Sequence, residues 1–189
     1  MQHDTDRDAY RRHALAGGAA RGRLGAEKSG PRFALAGSYA LWAYGAPEPV
    51  HDVDLVVAES DVDEAVATLI DAGFAIERPP EDWLFKARSK DTLVDVLHRL
   101  NGVRVEPATL NRAEQHDVLA ISMPVLPPTM VLTQRLCSQD EHYCDFAKLL
   151  PGVRAVRERL DWEHIKAQIA ENDYAVAFLV LVQQLGLTG

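Results

Sequence analysis

Asp52-Val53-Asp54-Leu55-Val56-Val57-Ala58 is the stretch on which the reading of this chain turns. From Val53 onward only Asp54 interrupts an apolar run, which reads as a strand entering a core. Residues two apart on a strand point to the same face, so Asp52 and Asp54 project side by side. Two like charges so placed repel, and a divalent cation removes the repulsion. Mg²⁺ in particular takes one or two carboxylates together with phosphate oxygens. Taken alone, the pair also fits two aspartates that end a strand at the surface, where Asp is common.

Upstream, Ala34-Leu35-Ala36-Gly37-Ser38 is an apolar strand running into Gly-Ser and then into a helix over Tyr39 to Tyr44 that stops at Gly45. Glycine permits a tight turn, and the start of a helix offers unpaired N–H donors. With the Ser38 hydroxyl these suit a phosphate, although a turn glycine and a capping serine explain the pair equally well in isolation. Downstream, Leu93-Val94-Asp95-Val96-Leu97 sets one aspartate in an apolar strand. A charge there is costly unless it is paired, metal-bound or turned to solvent by strand alternation.

Further out, the pattern predicts a strand over Phe33 to Ala36 and another over Val53 to Ala58, with a loop at Pro47 and Pro49 between. A helix follows from Ser60 to Ala72, with Ser60 and Asp63 at capping-box spacing. Trp83 to Arg88 and Thr92 to Leu97 read as a hairpin joined by Ser89-Lys90-Asp91, and Val118 to Ile121 and Pro124 to Leu126 as short strands. From Pro128 the pattern is helical to the end, broken near Pro151 and Gly152, with Asp161 capping the next helix. Residues 5–20 read as a polar, Ala-rich helix, followed by a Gly-rich break with Gly17, Gly18 and Gly25 and closed by Gly30. The expected organisation is therefore an arm or docked helix over 1–30, an α+β core over 31–126 and a helical part over 127–189.

The combination of an apolar residue, Gly37-Ser38, thirteen residues and then Asp52-x-Asp54 resembles the signature of the nucleotidyltransferase (polymerase β-like) superfamily. The resemblance implies a mixed β-sheet core with helices and a C-terminal helical part. It also implies Mg²⁺, two ions, held by Asp52, Asp54 and Asp95, beneath the phosphates of an NTP substrate. Gly37 and Ser38 would hold the β- and γ-phosphates. Asp95 would also help deprotonate an acceptor hydroxyl that attacks the α-phosphorus, with pyrophosphate leaving.

Within the superfamily, Pro128 to Phe146 is similar to the helical part of the abortive-infection type, which includes toxins of bacterial toxin–antitoxin pairs. Arg135 matches its basic position and Asp145 its acidic one, placing both in the nucleotide-binding set. Arg135 stands where that group generally has Lys; it keeps the charge and can grip phosphate through two N–H groups. Glu48-Pro49-Val50-His51 stands where the group often has Arg, Ser or Thr. This resemblance implies a tRNA 3′ end as acceptor and a cognate antitoxin as partner. The alternatives are a small acceptor of aminoglycoside type, which an acidic cleft would suit, and a non-catalytic protein-binding module that keeps the fold.

Composition narrows the classes. With 47% hydrophobic and 25% charged residues over 189 positions, the chain is an ordinary globular protein. The formal charge of −8 argues against an electrostatic nucleic-acid binder of the basic kind. The excess is acidic beyond residue 30, whereas residues 1–30 carry six basic groups against four acidic ones. No run approaches the roughly 20 apolar residues of a membrane span, and the charged N-terminus is no secretory signal. Cys137 and Cys144 sit seven apart in a helical pattern, about 10 Å along the axis, too far for a disulfide. A reducing cytoplasm is the expected compartment. The spacing of Cys137, Glu141, His142 and Cys144 matches no zinc pattern. His51 reads as a polar strand-edge residue, and Trp42, Trp83 and Phe85 as core aromatics or base-stacking rings.

Overall fold

The computed structural model describes residues 30–49, 53–89, 92–119 and 121–188. The expected helix over 5–20, nearly all of the arm, His51 and Asp52 lie outside the described residues.

The apolar run after Asp52 forms strand β2, Val53–Val57, in the middle of the sheet. Val53, Leu55, Val56 and Val57 are all at most 3% exposed, so both faces of the strand are covered, as parallel neighbours require. On one side β2 pairs antiparallel with β1, Phe33–Leu35; on the other it pairs parallel with β5, Thr92–Leu97. Two parallel strands cannot be joined by a tight turn. The crossover here contains a 3₁₀ turn over Glu59–Asp61, helix α2 (Val62–Asp71), and strands β3 (Ala75–Glu77) and β4 (Leu84–Ser89). After β5 come a short ribbon, β6 (Arg99–Leu100) and β7 (Val103–Arg104), and a one-turn helix α3, Pro107–Leu110. The hairpin of β8 (Glu114–Val118) and β9 (Ile121–Val125) then returns to β1, with β9 parallel to it. Among the described residues seven strands form one mixed sheet in the order β3-β4-β5-β2-β1-β9-β8.

Helix α1, Gly37–Ala43, follows β1 directly and packs on β2. Among the described residues four further α-helices follow, α4 (Pro128–Cys137), α5 (Phe146–Val156), α6 (Trp162–Gln168) and α7 (Asp173–Gln184), with a 3₁₀ turn over Arg157–Arg159 after α5. Helix α4 packs on α1, α6 and α7. Sheet and C-terminal helices share one apolar cluster, with Phe85 and Leu55 of the sheet and Leu132, Ile165 and Phe178 of the helices all at most 1% exposed. No described helix is long and apolar enough to cross a membrane.

Three side chains cap these helices: Asp145 accepts from the Lys148 N–H at 3.2 Å, Asp161 from His164 at 2.9 Å and Asn172 from Ala175 at 3.0 Å. The Asn172 amide also donates to the Cys137 and Gln139 carbonyls, tying the end of α4 to the start of α7. At the far edge the Tyr44 hydroxyl donates to Glu114 on β8 at 3.1 Å, and the Arg159 guanidinium lies 5.7 Å from its ring centre. Burial, and then the Glu114 charge, push the Tyr44 hydroxyl pKa up.

Several expectations are corrected. The capping box at Ser60 and Asp63 does not form, because residues 59–61 make a 3₁₀ turn and the Ser60 hydroxyl donates to Asp61. Helix α1 begins at Gly37 rather than Tyr39. The last hairpin starts at Glu114, four residues earlier than expected, since an edge strand tolerates the polar run Glu114 to Asp117. Helix α5 runs through Pro151 and Gly152 instead of breaking there. Cys144 lies outside any helix, and both cysteines are free thiols.

Candidate active site

The parallel register of β2 and β5 makes Asp54 and Asp95 Cα partners. Partners in register project from the same face of a sheet, on strands about 4.8 Å apart. Both aspartates line one cavity of about 420 Å³, whose far wall is made by Gln134 and Arg135 of α4 and whose rim includes Trp83 and Arg99. The aspartate after β2 begins and the aspartate inside β5, separate in sequence, are thus brought together.

Gly37 closes the cavity above Asp54. Its φ is +59°, a left-handed conformation that side chains resist. A Cβ built on it would overlap the Asp54 carboxylate. The Ala36 N–H donates to the Asp54 carbonyl at 2.9 Å, which fixes the turn from β1 into α1 against β2. Only glycine fits this meeting of turn and carboxylate.

Arg135 reaches the same place from α4. Its guanidinium donates to the Ser38 hydroxyl at 2.9 Å. Burial pulls the guanidinium pKa down, and the Asp54 charge opposes that pull. Ser38 therefore already serves as an acceptor for Arg135, in addition to opening α1.

Lys86 had no signal in the sequence beyond being a lysine in a strand. It is the Cα partner of Asp95 on β4, and its ammonium lies 3.0 Å from each Asp95 oxygen. Arg99, also unread in the sequence, donates to Glu59 at 2.7 Å and to Asp82 at 2.6 Å, and Arg104 approaches Glu59 at 2.8 Å. The hydrogen bond from Arg99 holds the Glu59 carboxyl below its usual range. Beside this cluster His98 is mostly buried; burial lowers its pKa against the raising effect of Glu59.

Other expected residues fall elsewhere. Asp145 does not line the cavity: it is engaged as the cap of α5 and pairs with Lys148 at 3.3 Å. Phe85 is core, Trp42 is half-buried edge-on to Tyr39, and Trp83 is 40% exposed at the cavity rim. Among the described residues no group of three His, Cys, Asp or Glu side chains converges as a metal site. The described carboxylates Asp54 and Asp95 are a pair, with Asp52 outside the described residues. Two carboxylates over one cavity, next to an arginine, are the oxygen donors a hard cation such as Mg²⁺ takes when phosphates supply the rest.

No family model matches the chain, and no curated protein matches it. Solved structures do. The chain is similar to the crystal structure of ANT(2″)-Ia in complex with adenylyl-2″-tobramycin, with 15% identity over 89% of this chain and 94% of that one and a TM-score of 0.58. It is similar also to the solution structure of ANT(2″)-Ia, with 16% identity over 96% and 98% of the two chains and a TM-score of 0.55. At such identities the similarity is one of fold.

Proposed function

We propose, from the premise of a nucleotidyltransferase fold, that this chain moves a nucleoside monophosphate from an NTP to a hydroxyl acceptor. The observation that carries the reading is the register of Asp54 beside Asp95 under Gly37. Asp52 and Asp54 would hold Mg²⁺, which when bound neutralises the triphosphate and polarises the α-phosphoryl group. Gly37, without a side chain, leaves room for the Asp54 carboxylate against the turn into α1. Arg135 exchanges part of its contact with Ser38 for the β- and γ-phosphates. Asp95 accepts the proton of the acceptor hydroxyl as its oxygen attacks the α-phosphorus and pyrophosphate leaves. A second ion, as the resemblance implies, would have to share Asp95 with Lys86.

The acceptor we favour is a small polycationic polyol of aminoglycoside type. The net charge of −8 supports it, as does a fold similar along nearly its whole length to an enzyme solved with adenylyl-2″-tobramycin. A tRNA 3′ end, with an antitoxin as partner, is the second reading, favoured by the exposed Trp83 ring at the rim, on which a base can stack. The test is incubation with Mg²⁺ and each labelled NTP, offering aminoglycosides in one arm and total tRNA in the other. Label on one acceptor class, absent with Asp54→Asn, is the expected result. No transfer from any NTP to either class would remove the enzymatic reading and leave the protein-binding module.

A further inference from the structure

Across the sheet, one row of residues in register reads Glu77, Lys86, Asp95, Asp54. Charge alternates along it until the two aspartates meet. Lys86 is the cation of the row, and its placement is specific. The ammonium is equidistant, at 3.0 Å, from both Asp95 oxygens. It therefore stands on the side from which a cation approaches a carboxylate through both oxygens. The side chains of Lys86 and Asp95 are 27% and 18% exposed, so the pair is only partly reached by water. A divalent ion binding Asp95 must come to about 2.0–2.1 Å of an oxygen if it is Mg²⁺, beside an ammonium already 3.0 Å from that oxygen, and the two positive charges repel. That competition falls on Asp95, the carboxylate in contact with Lys86.

We propose that Lys86 is the resident cation of this site, a positioning residue that holds Asp95 and takes the place of a second divalent ion, so that the site loads one metal ion. The proposal rests on the nucleotidyltransferase reading and refines it. The ammonium keeps the Asp95 carboxylate oriented toward the acceptor side of the cavity whether or not nucleotide is bound. It also supplies positive charge next to the attacking oxygen, as a second ion would.

The experiment counts bound Mn²⁺, as a spectroscopically visible substitute for Mg²⁺, in the presence of a saturating non-hydrolysable NTP analogue. Free Mn²⁺ is read by electron paramagnetic resonance on the full chain. Wild type is expected to bind one equivalent. Lys86→Met keeps the apolar stem and removes the charge, and is expected to bind two. Two equivalents in wild type, or one in folded Lys86→Met, would overturn the proposal. Should Lys86→Met fail to fold, the wild-type count decides alone. Zero equivalents in wild type is a separate outcome: it removes the nucleotidyltransferase reading itself, and this proposal with it.

Discussion

Asp54 and Asp95 face one cavity from neighbouring parallel strands, each the other's partner in register. Their equivalence in position does not make them equivalent in role, because Lys86 grips Asp95 through both oxygens. Asp95→Asn should lower kcat by about 10²- to 10⁴-fold, the usual contribution of a positioned base, with little change in KM for NTP. Asp54→Asn should abolish metal-dependent NTP binding as well, seen by calorimetric titration of the analogue with and without Mg²⁺. Equal binding by wild type and Asp54→Asn would take Asp54 out of the site.

Gly37→Ala tests the meeting of turn and carboxylate. The left-handed backbone alone costs a residue with a Cβ about 1–2 kcal/mol, which corresponds to a fall in Tm of roughly 2–8 °C for a domain of this size. The overlap with Asp54 adds a displaced carboxylate. We expect kcat/KM to fall at least about 100-fold in a variant that remains folded. An active Gly37→Ala would mean that Asp54 has freedom that its packing against the turn denies.

Arg135→Ala should raise KM for NTP by about 10- to 100-fold, in line with loss of one charged hydrogen bond of about 1.5–3 kcal/mol. Arg135→Lys should recover much of that, since it restores the charge without the guanidinium fork. Steady-state kinetics on the two variants separates this from a packing role, which lysine would not rescue in KM. Because the half-buried Arg135 guanidinium donates to Ser38, the alanine variant should also leave Ser38→Ala with no further effect on KM.

Asn172 joins two helices without approaching the cavity. Its amide serves the Cys137 and Gln139 carbonyls and its oxygen caps α7. Asn172→Ala removes the cap and leaves two half-buried carbonyls unpaired, a loss of about 2–3 kcal/mol. Denaturant melts should show the loss, with kcat and KM unchanged in the folded protein.

Stability should fall as pH drops below the ordinary histidine range, in part through His98. Burial sets its folded pKa below the unfolded value of about 6.5. The unfolded chain therefore binds the proton first, and the neutral-His contribution, intact above about pH 6.5, is lost as pH falls through the folded pKa. Thermal melts at pH 7.5 and 5.5 should show a larger drop in Tm for wild type than for His98→Gln. Parallel curves would return His98 to a solvated position.

The legible parts of this molecule are those whose chemistry is local. Val53 to Val57 could be read as a central strand because burial on both faces demands an unbroken apolar run, and Asp95 because it violates one. Gly37 could be read because a tight turn from a strand into a helix favours glycine, though its packing against Asp54 could not. Strand β3 was not legible: it sits at the sheet edge with Ala75 and Glu77 exposed, so burial imposes no pattern on it. Ser60 and Asp63 carried a valid local signal that did not form, since residues 59–61 make a 3₁₀ turn and the Ser60 hydroxyl is taken by Asp61. Lys86 and Arg99 were invisible for a different reason. A basic residue in a strand means nothing until the register names its partner, and partners across β4 and β5 are set by folding. Asp145, which the resemblance places in the nucleotide-binding set, caps α5 in the fold, and the sequence shows that cap only as an Asp before an apolar run.

The hydrogen bond between Arg135 and Ser38 spans 97 positions of the chain, and α2, β3 and β4 lie between β2 and β5 in sequence. Contacts so distant in sequence form late, because the loops that join them must be closed first. A nascent chain exposes Gly37 and Asp54 long before α4 exists, and nothing synthesised by then can neutralise the cavity from the Arg135 side. The pocket is therefore an endpoint of assembly, reached only when the chain has returned across its own sheet, and no amino-terminal product of synthesis or cleavage that stops before α4 contains it.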